Sequence, residues 1–183
     1  MARVPYLDLP DVAPENRDLL ARPITINRAL VNSPDALRAM NALAGYIRHK
    51  SKLDPRLREL AILQVGYLAK SAYEWSHHVK IGREFGVSDD DIRAIGAETA
   101  GRGSAIDPLA KLVLRGAREM TDELAMSGAT YAALENQLSR EQLIDLTMTI
   151  AFYCAVVRIL ATLQIDVEPD YLRYLDEFPL PDL

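Results

Sequence analysis

Residues Asp54–His78 read DPRLRELAILQVGYLAKSAYEWSHH, and the fold follows from how this stretch is punctuated. Asp54-Pro55 is a helix start: a carboxylate that can cap free backbone amides, then a proline whose missing N–H costs nothing in the first turn. Leu60, Leu63 and Tyr67 recur at helical spacing behind it. Ser71 and Glu74 have the spacing of a capping box, so a second helix begins within a few residues of the first one's end. It runs to about Phe85, where Gly86 stops it.

The same punctuation continues outward in both directions. Ser33-Pro34 starts a helix to about His49. Ser88, followed by Asp89, Asp90 and Asp91, starts another, with acids placed where the helix dipole favours them. A break rich in Gly and Ser at residues 101–105 precedes Asp107-Pro108, which opens a helix to about Asp122. Thr130 opens a short helix. Ser139 and Gln142 form a second capping-box pattern before a long helix to about Leu163, and Pro169 precedes a last short one over Tyr171 to Asp176. The β-branched residues sit in 3.6-residue patterns, never alternating ones. The expectation is an all-α, single-domain helical bundle over residues 27–183. Residues 1–26, with Pro5, Pro10 and Pro14 and no period, form an extended arm that wraps over the domain or over a neighbouring subunit.

Composition bounds the rest. The chain has 183 residues, 49% hydrophobic and 26% charged, enough for one sizeable core. A net charge of −5 with scattered basic residues argues against nucleic acid and against an anionic membrane surface as partners. The one basic cluster, Arg48–Lys52 with His49 inside it, suits a helix C-terminus. A single cysteine, Cys154, excludes an internal disulfide and any two-cysteine redox or zinc motif. The first twenty residues do not read as a signal or transit peptide, and no run of eighteen uninterrupted apolar residues occurs, so the expected location is the cytoplasm. The helix over Leu143 to Leu163 is apolar nearly all round. In a domain this small that implies burial against other copies of the chain, hence a homo-oligomer.

Chemistry concentrates between Glu59 and His78. Glu74 and His78 are four apart and share one helix face, with Ser71 a turn earlier. The tight connection between the two helices can bring Glu59 towards His78. A carboxylate on an imidazole fixes its tautomer, raises its pKa and leaves the other nitrogen for proton transfer near neutral pH. Two readings of Glu74 stay open at this level: it orients His78, or it closes a capping box with Ser71. His78 could likewise be a satisfied core histidine. His77 lies about 100° round the helix from His78, so the two do not share a ligand. Tyr73 and Trp75 are core anchors or substrate contacts. The spacing fits no established zinc or iron pattern, so no metal is expected.

Glu59, Ser71, Glu74 and His78 occupy the four positions at which the alkylhydroperoxidase-D-like superfamily carries a glutamate, a Cys-x-x-Cys pair and a histidine. Arg58-Glu59-Leu60, Tyr73-Glu74-Trp75 with His78, and the Leu143–Thr147 to Tyr153 helix resemble carboxymuconolactone decarboxylase-like proteins over residues 30–165. The resemblance implies an all-helical fold, trimers or hexamers, and no cofactor. Ser71 and Glu74 stand at the cysteine positions, so the thiol peroxidase chemistry of the other branch does not transfer. It implies instead decarboxylation or isomerisation of a small carboxylated lactone or enol. His78 is then the proton donor, Glu74 its orienting partner and Glu59 a second acid/base. Ser71, Tyr73, Trp75 and His77 are the expected substrate contacts, and the sequence singles out no cation for the substrate carboxylate. The alternatives are a non-catalytic binding or scaffold member of the same family and, more weakly, peroxide reduction involving Cys154.

Overall fold

The computed structural model describes residues 2–181, which are helical throughout their regular structure, with no strand among them. The helices are α1 (Thr25–Leu30), α2 (Pro34–His49), α3 (Pro55–Leu68), α4 (Ala72–Glu84), α5 (Asp89–Thr99), α6 (Pro108–Asp122), α7 (Gly128–Glu135), α8 (Arg140–Leu163) and α9 (Pro169–Glu177). Most starts fall where the caps predict. Asp54, Ser88, Asp107 and Ser139 each accept a backbone N–H from the first turn with their side chains. One start moves: α7 is capped by Ser127, whose hydroxyl accepts from the Thr130 amide, so Thr130 sits inside the first turn instead of opening it.

The centre of the bundle is α3. It packs on α4, α5, α6 and α8, and ten consecutive residues from Leu57 to Gly66 are buried. A helix enclosed on every side must bury its polar positions too, and Arg58, Glu59 and Gln64 therefore lie in the interior with partners of their own. The α3–α4 connection is a Schellman turn. Lys70 adopts a left-handed φ of 49°, its N–H donates to the Tyr67 carbonyl at 3.1 Å, and the Ser71 N–H donates to the Gly66 carbonyl at 3.0 Å. The helices run close at Gly66, where a Cβ would stand in ordinary van der Waals contact, 3.4 Å from the Trp75 nitrogen and 3.6 Å from the Glu74 Cβ.

The arm is less extended than its prolines suggest. Pro10 and Pro14 start short 3-10 turns at Leu9–Asp11 and Pro14–Leu20, and α1 begins at Thr25. The arm lies on its own chain. Val12, Leu19 and Leu20 pack with Val31 and Leu37, the Arg3 N–H donates to the Leu163 carbonyl, and the Tyr6 hydroxyl donates to Asp166 at 2.9 Å. Among the described residues, α8 is the one helix long and apolar enough to cross a membrane by length and composition. Here it is a core helix. One face, including Leu143, Leu146, Ile150, Val157 and Leu160, is buried. On that face Asp145 receives hydrogen bonds from the Tyr46 and Ser51 hydroxyls and the Lys52 amide.

Candidate active site

The α3–α4 turn sets Glu59 against His78. His78 is 3% exposed, its Nδ1 lies 2.6 Å from Glu59 Oε2, and its Nε2 lies 2.9 Å from Glu74 Oε1. The imidazole is thus held at both nitrogens, and the one that the sequence reading left free for proton transfer is taken by Glu74. The capping box does not form. Ser71 Oγ accepts the Glu74 amide at 3.4 Å, but the Ser71 N–H is committed to Gly66, so the Glu74 side chain has no donor to return to and turns to His78.

Behind Glu59 stands Arg58, 2% exposed. Its Nε donates to Glu59 Oε1 at 3.0 Å, its Nη1 donates to the Arg48 carbonyl at 3.1 Å, and its guanidinium lies 4.5 Å from the centroid of the Phe85 ring. Two cationic and two carboxylate side chains, Arg58, His78, Glu59 and Glu74, form one buried quartet whose charges cancel. Burial alone would lower the His78 pKa, but Glu59 and Glu74 outweigh it and push the imidazole up to about 9. Burial would raise the Glu59 carboxyl, and the His78 and Arg58 charges instead hold it below its ordinary value.

Glu74 and His78 border a cavity of about 320 Å³ between α1, α2, α4 and α8. Ile24, Met40, Phe152 and Val156 supply apolar walls, and the rim includes the exposed Arg22 and His49. The size is at the small end of ligand sites. Tyr153 sits edge-on to His78, ring centroids 5.0 Å apart. Burial, then Glu74 and Glu59, push its phenol pKa upwards, with Arg48 pulling the other way.

The remaining expected contacts divide by helix face. Residues 74, 77, 78 and 81 recur at 3–4 residue spacing, and all border the cavity, as does Tyr73. His77 is stacked between Tyr73 and Tyr171, at 4.2 and 3.7 Å, and its Nε2 is 2.7 Å from Glu168. Glu168 also accepts from the Thr25 amide and hydroxyl and is held down to about 2; burial works against this and the His77 and Thr25 hydrogen bonds prevail. Ser71 and Trp75 are not on the cavity wall. Ser71 is spent on the helix cap, and Trp75 points away, its indole N–H donating to the Phe178 carbonyl at 2.7 Å. Cys154 lies outside the cavity lining too, 3.6 Å from the Thr121 hydroxyl. Arg48, Arg22 and Phe152 were missed as cavity residues. The only signal for Arg48 was its place in the basic cluster, where a helix end explained it equally well.

The all-helical bundle with a Glu–His–Glu cluster across one tight interhelical turn is similar to known proteins in both sequence and fold. The model of the Carboxymuconolactone decarboxylase family matches residues 34–106, which span α2 to α5 and the whole quartet. The structure is similar to an uncharacterised peroxidase-related protein with an alkylhydroperoxidase AhpD core from Ralstonia eutropha JMP134 (TM-score 0.81, 17% identity, 98% of each chain covered). It is also similar to the debrominase Bmp8 bound to 2,3,4-tribromopyrrole (0.79, 18%, 97% of this chain and 98% of that one). A third similar structure is a peroxidase-related protein from Silicibacter sp. TM1040 (0.73, 16%, 93% and 97%). No curated protein matches the chain significantly. The chain has the alkylhydroperoxidase-D-like fold, and its residues 34–106 are similar to the Carboxymuconolactone decarboxylase family.

Proposed function

We propose that the protein is a cofactor-free enzyme that moves a proton to or from carbon in a small carboxylated lactone or enol, by decarboxylation or isomerisation. The observation that carries this reading is the imidazole of His78 clamped between Glu59 and Glu74 beside the cavity. Loss of carbon dioxide from such a substrate leaves the electron pair of the broken C–C bond delocalised into the conjugated carbonyl as a dienolate, and a proton must then reach carbon. Glu74 carries that proton between His78 and the substrate, because both imidazole nitrogens are engaged and the Glu74 carboxylate borders the cavity. His78 is the proton reserve, Glu59 and Glu74 hold it cationic, and water resupplies the proton after release. Isomerisation uses the same group twice, to remove a proton from one carbon and return it at another.

Thiol chemistry finds no support at this site, since Ser71 and Glu74 stand at the positions of the cysteine pair and Cys154 is outside the cavity lining. The test is turnover of carboxylated lactones and β-keto acids in D2O, reading carbon dioxide and carbon-bound deuterium. Glu74→Gln, near-isosteric, should lower turnover about 10²–10⁴-fold, the usual worth of a positioned acid/base group, and His78→Ala should abolish it. Turnover that survives both substitutions sinks the mechanism, and no turnover of any substrate in the set moves the protein to the non-catalytic binding reading.

We infer also that the chain self-associates, as a trimer or hexamer, through α2 and α8. Ile144 and Met148 are 57% and 41% exposed on α8. On the same side Ala36, Met40, Phe152, Ala155 and Ile159 line an apolar groove shared by the two helices. An apolar strip of this kind left facing water marks an interface.

A further inference from the structure

The acid–base end of the cavity accounts for Glu74 and His78 but not for the cation beside them. Arg48 borders the same cavity from the last turn of α2, and the Tyr153 phenol, a group that can donate a hydrogen bond, borders it from α8. Of the other arginines nearby, Arg56 pairs with Asp91 and Asp107, Arg58 with Glu59, and Arg83 with Asp89 and Glu177, while Arg22 stands on the exposed rim of the cavity and not in its wall beside Tyr153. Among the described residues no carboxylate forms an ion pair with Arg48. A guanidinium fork with no acid to answer it, next to a phenol donor and apolar walls, is the usual chemistry for holding a planar carboxylate.

We propose that Arg48, with the Tyr153 hydroxyl beside it, is the carboxylate-recognition pair of this cavity, and that the ligand is a small planar monoanion whose apolar body lies against Phe152 and Met40. Only the orientation rests on the proton-transfer reading: with the carboxylate at Arg48, the ligand's carbon skeleton extends towards Glu74. Binding itself requires no turnover, so it stands or falls separately from the enzyme assignment.

The experiment is titration of the full chain with benzoate and with benzamide, its neutral isostere, followed by heteronuclear NMR. Benzoate should bind and perturb α2 and α8 resonances, with benzamide roughly ten- to hundredfold weaker, the range expected for a hydrogen bond to a charged group. Arg48→Met should lose benzoate by a similar factor, Arg48→Lys should restore part of it, and Tyr153→Phe should weaken it severalfold. No benzoate binding up to about 10 mM, a concentration at which even a weak site fills, overturns the proposal. So does equal affinity for the two probes, or unchanged affinity in folded Arg48→Met. If Arg48→Met fails to fold, the benzoate–benzamide comparison on the unaltered chain decides alone: a preference for the anion supports the pair, and equal binding rejects it.

Discussion

Raising the pH should weaken the folded state through His78. In the unfolded chain this imidazole has its ordinary pKa of 6.5; in the fold it is pushed up to about 9 by Glu59 and Glu74, against the opposing effect of burial. A group whose pKa is higher when folded contributes its full stabilisation below the unfolded value and loses it as pH rises through the folded one. The window is therefore pH 6.5 to 9. At about 1.4 kcal/mol per pH unit the step amounts to about 3 kcal/mol. Burial excludes the solvent screening that reduces such effects at surfaces. For a chain of this size the loss corresponds to a fall in Tm of roughly 6–12 °C. The assay is urea unfolding at pH 6, 7, 8, 9 and 10, on the unaltered chain and on His78→Asn, which retains a polar group but has no proton to lose. The unaltered chain should lose stability across the window while the variant stays nearly flat, so that titrations elsewhere cancel in the difference. A ¹³C-edited titration of the His78 ring should give the same midpoint. Parallel stability curves, or a ring that titrates near 6.5, would refute the claim that the two carboxylates hold a buried imidazolium.

Two further outcomes follow from other parts of the fold. Gln164 ends α8 with a left-handed φ of 53°, and the Ile165 N–H behind it donates to the Leu160 carbonyl; a non-glycine residue there costs roughly 1 kcal/mol, so Gln164→Gly should raise Tm by roughly 2–4 °C in a calorimetric scan, and an unchanged or lower Tm would show that the turn is not strained. If the chain self-associates through α2 and α8 as proposed, Ile144→Glu on the exposed face of α8 should convert that oligomer to monomer at micromolar concentration without loss of helical signal, as read by sedimentation velocity; an unaltered sedimentation coefficient would refute this interface.

Helices whose signals are local were legible in the sequence, and those held by distant groups were not. Ser33-Pro34, Asp54-Pro55 and Asp107-Pro108 carry a cap and a proline side by side, and α2, α3 and α6 begin there. Helix α1 has no such residues. Its first amide is bonded by Glu168, 143 positions away, and nothing near Thr25 announces that. The α3–α4 turn uses a left-handed Lys70 where glycine is the usual mark, so its geometry was hidden although its brevity was plain. At the site, spacing brought out Glu59, Glu74 and His78 as residues that could meet. It could not choose between a capping box and an ion pair for Glu74, because the deciding bond is that of the Ser71 amide to Gly66. Nor could it put Trp75 on the far side of α4, since a neighbouring residue differs from Glu74 only by the helical rotation, and which face meets the cavity depends on α2 and α8.

The substitution at Glu74 explains why the quartet holds together. With Glu59 and Arg58 alone, His78 would be a buried imidazole in contact with a neutralised carboxylate, and burial would favour its uncharged form. A second carboxylate at Glu74, 2.9 Å from Nε2, supplies the charge that makes the imidazolium the stable form and brings the cluster to neutrality, which lowers the cost of burying four ionisable side chains. A thiol at the same position would be a softer and weaker partner, suited to disulfide exchange and not to holding a proton. The residue that stands in place of a cysteine at this turn is thus the one that, in the proposed mechanism, makes His78 a proton store beside the cavity. The two consequences can be separated: Glu74→Gln should lower the His78 pKa while leaving Glu59 bonded to Nδ1, whereas Glu59→Gln should lower it and also leave Arg58 a buried cation without its carboxylate, at a cost of about 3–5 kcal/mol. Equal stability losses for the two variants in urea unfolding at pH 7 would show that Arg58 does not depend on Glu59, and the quartet would then reduce to a histidine between two independent acids.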